Sequence, residues 1–355
     1  MYWWQRIHFF DELRRQEFAD ILTFNPLDFN SVDEANENLL NTIRKEKDID
    51  IFLTCVDSAW IYADVIHEIK KTGIPTVLVC WDNLELPYKH KAIAPAFDLV
   101  WLTSKETEYL FKEWGCRNIV FQTYASNPLK FSPQWGKAIN SVGFIGTPYG
   151  SRVNKINELI KNNIDCSVYS DTFYNKGYNS SVGRKKTDIS DIVIKAYRYL
   201  KFPIGRKVLY STLLNKFIRE GQLPDNHPSL FKNPSVSDEE MCSLYSNHTL
   251  SLNITELRDT YILNEPIHKI HLRTFEIPMS GGLQLASYSE ELSSYFQDNR
   301  EILMYRSSEE LIDKCRFYLK EENEPTVLKM KERARERAQK EHTWLNRFEH
   351  VIGRL

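Results

Sequence analysis

Ser141-Val142-Gly143-Phe144-Ile145-Gly146-Thr147-Pro148-Tyr149-Gly150-Ser151-Arg152 is the stretch that decides the fold: an apolar run, a bend bracketed by glycines, then the start of a helical pattern. A strand that passes into a helix through a short loop is the unit of a parallel sheet, because parallel strands need a crossover to bring the chain back. The glycines suit a tight turn with positive φ. Backbone N–H groups at the helix start, with Arg152 beside them, could face a phosphate. Alone, the segment lacks the full dinucleotide fingerprint and reads as an ordinary strand-to-helix turn.

The same alternation runs upstream. Ile21-Leu22-Thr23-Phe24, Ile51-Phe52-Leu53-Thr54-Cys55, Val77-Leu78-Val79-Cys80, Leu99-Val100-Trp101-Leu102 and Ile119-Val120-Phe121 are apolar runs separated by amphipathic helical patterns. Continuous apolarity, rather than period-two alternation, is what strands covered by helices on both faces require. The chain opens on a helical pattern from Tyr2 to Gln16, where such a domain opens on a strand, so either residues are missing ahead of it or the sheet is one strand short. Prolines in Asn127-Pro128-Leu129-Lys130-Phe131-Ser132-Pro133 break the pattern, which predicts one lobe over residues 1–130 and a second over 131–340.

In the second lobe, strand signals fall at Cys166-Ser167-Val168-Tyr169, Leu250-Ser251-Leu252-Asn253, Leu283-Gln284-Leu285 and Ile302-Leu303-Met304. Residues 171–235 fit the alternation poorly and read as an insertion rich in basic and aromatic residues, among them Arg184, Lys185, Lys186, Tyr197, Arg198, Tyr199, Lys201, Arg206 and Lys207. A solvated lid is the expectation there, and contact with an anionic membrane or a lipid-linked acceptor is the alternative. In residues 341–355, Trp344, Phe348 and Val351 form an apolar face at helical spacing that must dock onto something.

A length of 355 residues suits two domains, and 42% hydrophobic with 26% charged residues describes a globular protein. A net charge of -2 gives no basic excess, so nucleic acid is not an expected partner and any anion site must be local. Six scattered cysteines read as buried thiols. With no long apolar span and no signal layout, the cytoplasm is the expected compartment. His268 and His271 are three apart but lack an acidic or cysteine partner at helical spacing, so no metal is expected. No Gly-x-Ser-x-Gly elbow or Walker lysine loop occurs, which argues against a hydrolase triad or an NTPase.

Leu272-Arg273-Thr274-Phe275-Glu276-Ile277-Pro278-Met279-Ser280-Gly281-Gly282 carries the chemistry. Arg273, a planar fork, and Thr274 suit a pyrophosphate, Glu276 can accept hydrogen bonds from ribose hydroxyls, and Gly281 and Gly282 let the chain turn into the next strand. The segment resembles the donor-site element of the spore-maturation-protein (CgeB-type) glycosyltransferases. Gly146 to Arg152 is similar to that family's glycine loop at the start of the second lobe, Asp82 to its acidic position after a first-lobe strand, Tyr124-Ala125-Ser126-Asn127-Pro128 to its hinge-proximal segment, and His342-Thr343-Trp344 with Arg347 to its closing segment.

The resemblance implies an α/β fold of two Rossmann-like lobes with parallel sheets and an interdomain cleft, the GT-B architecture, with the C-terminal helix packing back on the first lobe. It implies transfer of a sugar from a nucleotide-diphosphate sugar to a glycan, polysaccharide, or lipid- or protein-linked acceptor, without a cofactor or metal. Lobe 1–130 would serve the acceptor and lobe 131–340 the donor. The expected donor residues are Gly146, Thr147, Gly150, Arg152, Asn253, Arg258, Arg273, Thr274, Glu276, Gly281 and Gly282. In related retaining enzymes a second glutamate lies two helical turns before the ribose-binding one. That position holds His268 here, with Glu265 slightly upstream, so the stereochemical outcome stays open.

Ahead of the donor helix, Leu252-Asn253-Ile254-Thr255-Glu256-Leu257-Arg258 passes from a strand end into a loop, where ligands approach an open parallel sheet. On the first lobe, Asp57 and Asp82 each end a strand. Either could act as a general base for an acceptor hydroxyl or cap a helix, and Trp81 could stack on a sugar. Two other functions fit the same residues: a nucleotide-sugar epimerase, and a catalytically silent nucleotide-sugar-binding protein.

Overall fold

The computed structural model describes residues 5–46, 48–173, 189–217 and 221–355. Arg184, Lys185 and Lys186 of the expected insertion lie outside them. The chain forms two compact units, residues 1–124 with 344–355, and residues 125–343. The division falls after Tyr124 and after Thr343, where the sequence reading places it after residues 130 and 340.

The first unit is built on a parallel sheet, β1 (Phe52–Thr54), β2 (Thr76–Cys80), β3 (Leu99–Leu102) and β4 (Ile119–Phe121), in the order β1-β2-β3-β4. Every residue of β2 and β3 is buried, as strands covered on both faces must be. Helices α1 (Asp11–Arg15) and α2 (Val32–Lys45) precede β1, α3 (Ala63–Lys71) joins β1 to β2 and α4 (Glu108–Glu113) joins β3 to β4, whereas β2 and β3 are connected through two short 3-10 turns, Pro87–Lys89 and Ala94–Ala96. Ser31 caps α2 through its hydroxyl, which accepts from the Glu34 amide at 3.1 Å.

The run Ile21–Phe24 is not a strand. Leu22 is largely exposed and the segment pairs with no strand, so although Phe24 packs against the core the run stays irregular.

The second unit carries β5 (Ile139–Ile145), β6 (Cys166–Tyr169), β7 (Leu230–Asn233), β8 (His248–Asn253), β9 (Gln284–Ser287) and β10 (Leu303–Tyr305), all parallel, in the order β10-β9-β8-β5-β6-β7. The strand order reverses between β5 and β8. A crevice opens at such a switch point, because the connections leaving its two strands depart in opposite directions. β7 lies inside the expected insertion. Its Leu-Phe-Lys-Asn sequence is short and polar, as edge strands are, and carries no strand periodicity.

The helices of this unit are α5 (Ser151–Lys161), α6 (Ile189–Leu200), α7 (Pro203–Asn215), α8 (Asp238–Asn247), α9 (Arg273–Met279), α10 (Glu290–Tyr295), α11 (Ser308–Tyr318) and α12 (Glu324–Glu341). α12 locks the sheet's helices from behind with two buried cations. Lys331 donates to the carbonyls of Ser246 and His248, each at 2.7 Å, and Arg335 donates to those of Phe131 and Met279. Ser246 and Met279 lie in the last turns of α8 and α9, so each cation answers the unpaired carbonyls and negative end of a helix. Burial lowers the Lys331 ammonium to about 8.

The last helix, α13 (Trp344–Ile352), is part of the first unit. Its amides at Trp344 and Leu345 donate to the buried Glu12 carboxylate at 3.1 and 3.2 Å, and Arg347 donates to the Tyr124 carbonyl.

Candidate functional site

The Gly146 bend places a cation where the switch point opens. Gly146 has φ of +139°, and a Cβ there would sit 2.7 Å from Nη2 of Arg273. The missing side chain is what lets the guanidinium from the start of α9 approach the end of β5. The Gly146 amide itself donates to Tyr169, extending the sheet, so it is not one of the N–H groups aimed at a phosphate. Gly150, with φ of +54°, precedes α5, and its carbonyl accepts from Val153 and Asn154.

Arg152 joins Arg273 from the other side. Its Nη1 donates to the Thr147 carbonyl at 2.9 Å and its guanidinium lies 4.4 Å from the centre of the Tyr149 ring. Both guanidiniums flank the same Phe144 ring, at 5.8 Å and 5.7 Å from its centre. Among the described residues no carboxylate comes within 4 Å of either. Burial, and then the charge of Arg273, push the Arg152 pKa down. His271 responds to the same field: burial first, then Arg273, Arg152 and Lys269, hold its imidazole well below its usual range. Two cations confined together with no carboxylate within 4 Å among the described residues give this end of the sheet a local positive charge in a chain whose net charge is negative.

Glu276 lies one turn beyond Arg273 on α9 and is buried. Thr274 faces inward. Its hydroxyl accepts from Asn253 at 3.3 Å, and Asn253 also donates to Gln284 at 3.1 Å, so Asn253 and Thr274 tie α9 to β8 and β9 instead of lining an open surface. Arg258 is exposed, on a backbone with φ of +46°.

The glycine pair is a packing device. Gly281 has φ of +72°, and a Cβ there would meet the Trp135 indole, whose Nε1 donates to the Gly281 carbonyl at 3.0 Å. A Cβ on Gly282 would lie 2.7 Å from the Tyr245 carbonyl. Both residues permit the tight return from α9 into β9.

Next to the cations a pocket of about 470 Å³ opens between the first turns of α5 and α11. Ser151, Lys155, Glu256, His268, Tyr305 and Ser307 are among its walls. Glu256 Oε2 and the Tyr305 hydroxyl are shielded from water with no hydrogen-bond partner within 3.5 Å, so each has bonding capacity left over. His268 shares a hydrogen bond of 2.9 Å between its Nδ1 and Thr255 Oγ1. Burial lowers its pKa, against the raising effect of Glu256. Glu256 also interacts electrostatically with Arg152, which links the pocket to the pair of guanidiniums.

Sequence reasoning singled out Asn253 and Arg258 around Glu256 and passed over Glu256 itself. The available signal was its place in the loop beyond β8, past the last residue whose side chain the sheet encloses. Tyr305 gave no signal, being one more apolar-run residue until the fold leaves its hydroxyl at a strand end.

In the first unit, Asp82 is exposed at the turn after β2. Asp57 accepts from the Ala59 amide at 3.0 Å, and the residue preceding α3 is Tyr62, so Asp57 closes a turn and caps no helix. Trp81 is not a free stacking surface: its ring lies 5.7 Å from Phe9, 5.8 Å from Trp101, 5.9 Å from Tyr124 and 5.7 Å from Trp344. His90 is buried, and burial pushes its pKa down to about 4 despite Asp57 and Asp82 nearby. Among the described residues no three His, Cys, Asp or Glu side chains gather as a metal site.

The fold and the sequence both have known counterparts. Residues 220–353 match the model of a family described as glycosyl transferase-like. The Anabaena protein HepE, in structures with UDP-glucose and with UDP and glucose, superposes with TM-scores of 0.54 and 0.57 at 11% and 12% identity. The two superpositions cover 97% and 98% of this chain and 88% and 89% of HepE. A glycosyltransferase from Rickettsia africae superposes with a TM-score of 0.54 at 12% identity, over 97% of this chain and 86% of that one. No curated protein matches the sequence. The α/β fold with parallel sheets in two lobes is that of the GT-B glycosyltransferases, and on the family match the chain is an enzyme of the glycosyltransferase class.

Proposed function

We propose that this chain is a CgeB-type transferase that moves a sugar from a nucleotide-diphosphate donor to a glycan, a polysaccharide, or a lipid- or protein-linked acceptor, with no metal ion. The observation that carries the donor reading is the pair Arg152 and Arg273, two guanidiniums without a carboxylate at the switch point of the second sheet. They would hold the diphosphate and offset the charge that grows on it as the sugar leaves, work that a divalent cation does elsewhere. Glu276, on the same helix, would accept hydrogen bonds from the ribose hydroxyls.

The adjoining pocket has the chemistry for the sugar, with Glu256, His268 and the Tyr305 hydroxyl offering acceptors and donors to its hydroxyl groups. His268 stands in it as the candidate catalytic group on the donor side, and Asp82 of the first unit remains the candidate for the acceptor. Six free thiols, five of them buried, suit a reducing compartment, and we place the protein in the cytoplasm.

Calorimetry with UDP and UDP-sugars in the presence of a chelator tests the proposal. We expect saturable binding that survives the chelator and that Arg273→Ala weakens for UDP and UDP-sugar alike. Binding that requires added divalent metal, or that Arg273→Ala leaves untouched, would sink it.

A further inference from the structure

α6 and α7 present to solvent what a soluble surface hides. Of the twenty large apolar side chains exposed among the described residues, seven fall here: Val193, Ile194, Tyr197 and Leu200 on α6, and Tyr210, Leu213 and, just beyond it, Phe217 on the α7 side. Phe217 is 86% exposed. The spacings are helical, 193-194-197-200 and 210-213-217, so each helix bears a continuous apolar stripe. The opposite side of α7 is committed to the protein. Val208 and Ser211 are buried, and Thr212 and Asn215 donate to the Asp259 carboxylate at 3.0 and 3.1 Å. Gly205 fixes the bend between the two helices, since a Cβ there would sit 2.3 Å from the Tyr199 carbonyl.

The charges carried by the two helices are nearly all of one sign. Residues 189–217 contain Lys195, Arg198, Lys201, Arg206, Lys207 and Lys216 against the single acid Asp191, six minus one giving +5 within a chain of net charge -2. All six cations are exposed. Lys195, Arg198, Arg206, Lys207 and Lys216 have no carboxylate within 4 Å among the described residues. The element also lies upstream of residues 220–353, the part that matches the glycosyltransferase family.

We infer that α6 and α7 dock this enzyme on an anionic lipid surface, with the apolar stripes entering the headgroup boundary and the cations meeting acidic headgroups. The helices would lie on the bilayer and not cross it, since no described helix is long and apolar enough to span one. A second copy of the chain is a poorer occupant, because two +5 surfaces would repel. The inference does not depend on donor identity.

The test is cosedimentation of the full chain with vesicles of phosphatidylcholine alone or mixed with phosphatidylglycerol, at low and raised salt. We expect pelleting with the acidic vesicles only, weakened by salt. Leu213→Ser with Phe217→Ser, or Arg206→Glu with Lys207→Glu, should each lower the partition coefficient about tenfold or more, with melting temperature and UDP binding unchanged. A wild-type chain that stays in the supernatant with acidic vesicles at low salt overturns the inference, as do double variants that pellet as well as wild type. A concentration-dependent dimer abolished by Leu213→Ser with Phe217→Ser, with no vesicle binding, would assign the face to a second copy and overturn it too.

Discussion

The two sheets end differently. In the first unit, Trp81 at the carboxyl end of β2 is packed among Phe9, Trp101, Tyr124 and Trp344, and Phe348 completes the cluster against Phe9 and Trp101. In the second, the corresponding ends of β5 and β8 to β10 carry two guanidiniums with no carboxylate within 4 Å among the described residues, beside a pocket lined by Glu256, His268 and Tyr305. The same strand-helix repeat therefore serves two ends. Where aromatic rings fill the strand ends they stabilise, and where cations gather beside a pocket the chemistry is that of the donor site proposed above.

That contrast can be broken most directly at Trp344. The side chain is fully buried, so Trp344→Ala should destabilise the first unit by about 3–5 kcal/mol, read from the denaturant midpoint. A loss under about 1 kcal/mol would mean that the aromatic cluster does not hold α13. The opposite behaviour is expected from Arg273→Ala, which should cost about 10- to 100-fold in UDP affinity while leaving the melting temperature close to wild type. A large fall in stability with little change in affinity would reverse the roles assigned to the two strand ends.

Acid should destabilise both units. His90 in the first and His248 in the second are each held neutral by burial, with pKa values near 4 against 6.5 unfolded. The unfolded chain binds the extra protons between those values. Stability is therefore complete above about pH 6.5 and falls as the pH drops toward 4, by about 1.4 kcal/mol per pH unit for each histidine. A denaturant midpoint that is flat from pH 7 to 5 would contradict both assignments. The smallest effect is expected at Gly281. Gly281→Ala must hold a positive φ and displace the Trp135 indole, which is half exposed and can yield, so a loss of about 1–2 kcal/mol is expected. Unchanged stability would show that the indole and the backbone relax freely.

Much of the second unit was legible because its strands are continuous apolar runs and its bends are marked by glycine. β6 falls on Cys166–Tyr169, the residues quoted for it. β7 was not legible, since an edge strand with Lys232 and Asn233 has no periodicity to detect. Ile21–Phe24 failed in the opposite sense, having the composition of a strand but no partner. The candidate site divides the same way. Arg152 and Arg273 stood out because guanidiniums beside glycine bends have a recognisable chemistry. Thr274 and Asn253 looked equally suitable, and only their mutual hydrogen bond shows that they brace α9.

The amino-acid sequence alone determined the alternation of strand and helix, the two-lobe division, the glycine bends and the kinds of side chain near them, because these rest on local periodicity and backbone freedom. Tertiary structure decided which polar groups are answered and which are left over. Glu256 and the Tyr305 hydroxyl lack partners, Arg273 lies against Gly146, and Trp81 is walled in by rings. Each of these depends on residues far apart in the chain, and burial and pairing are properties of the assembled neighbourhood, which no local stretch of sequence contains.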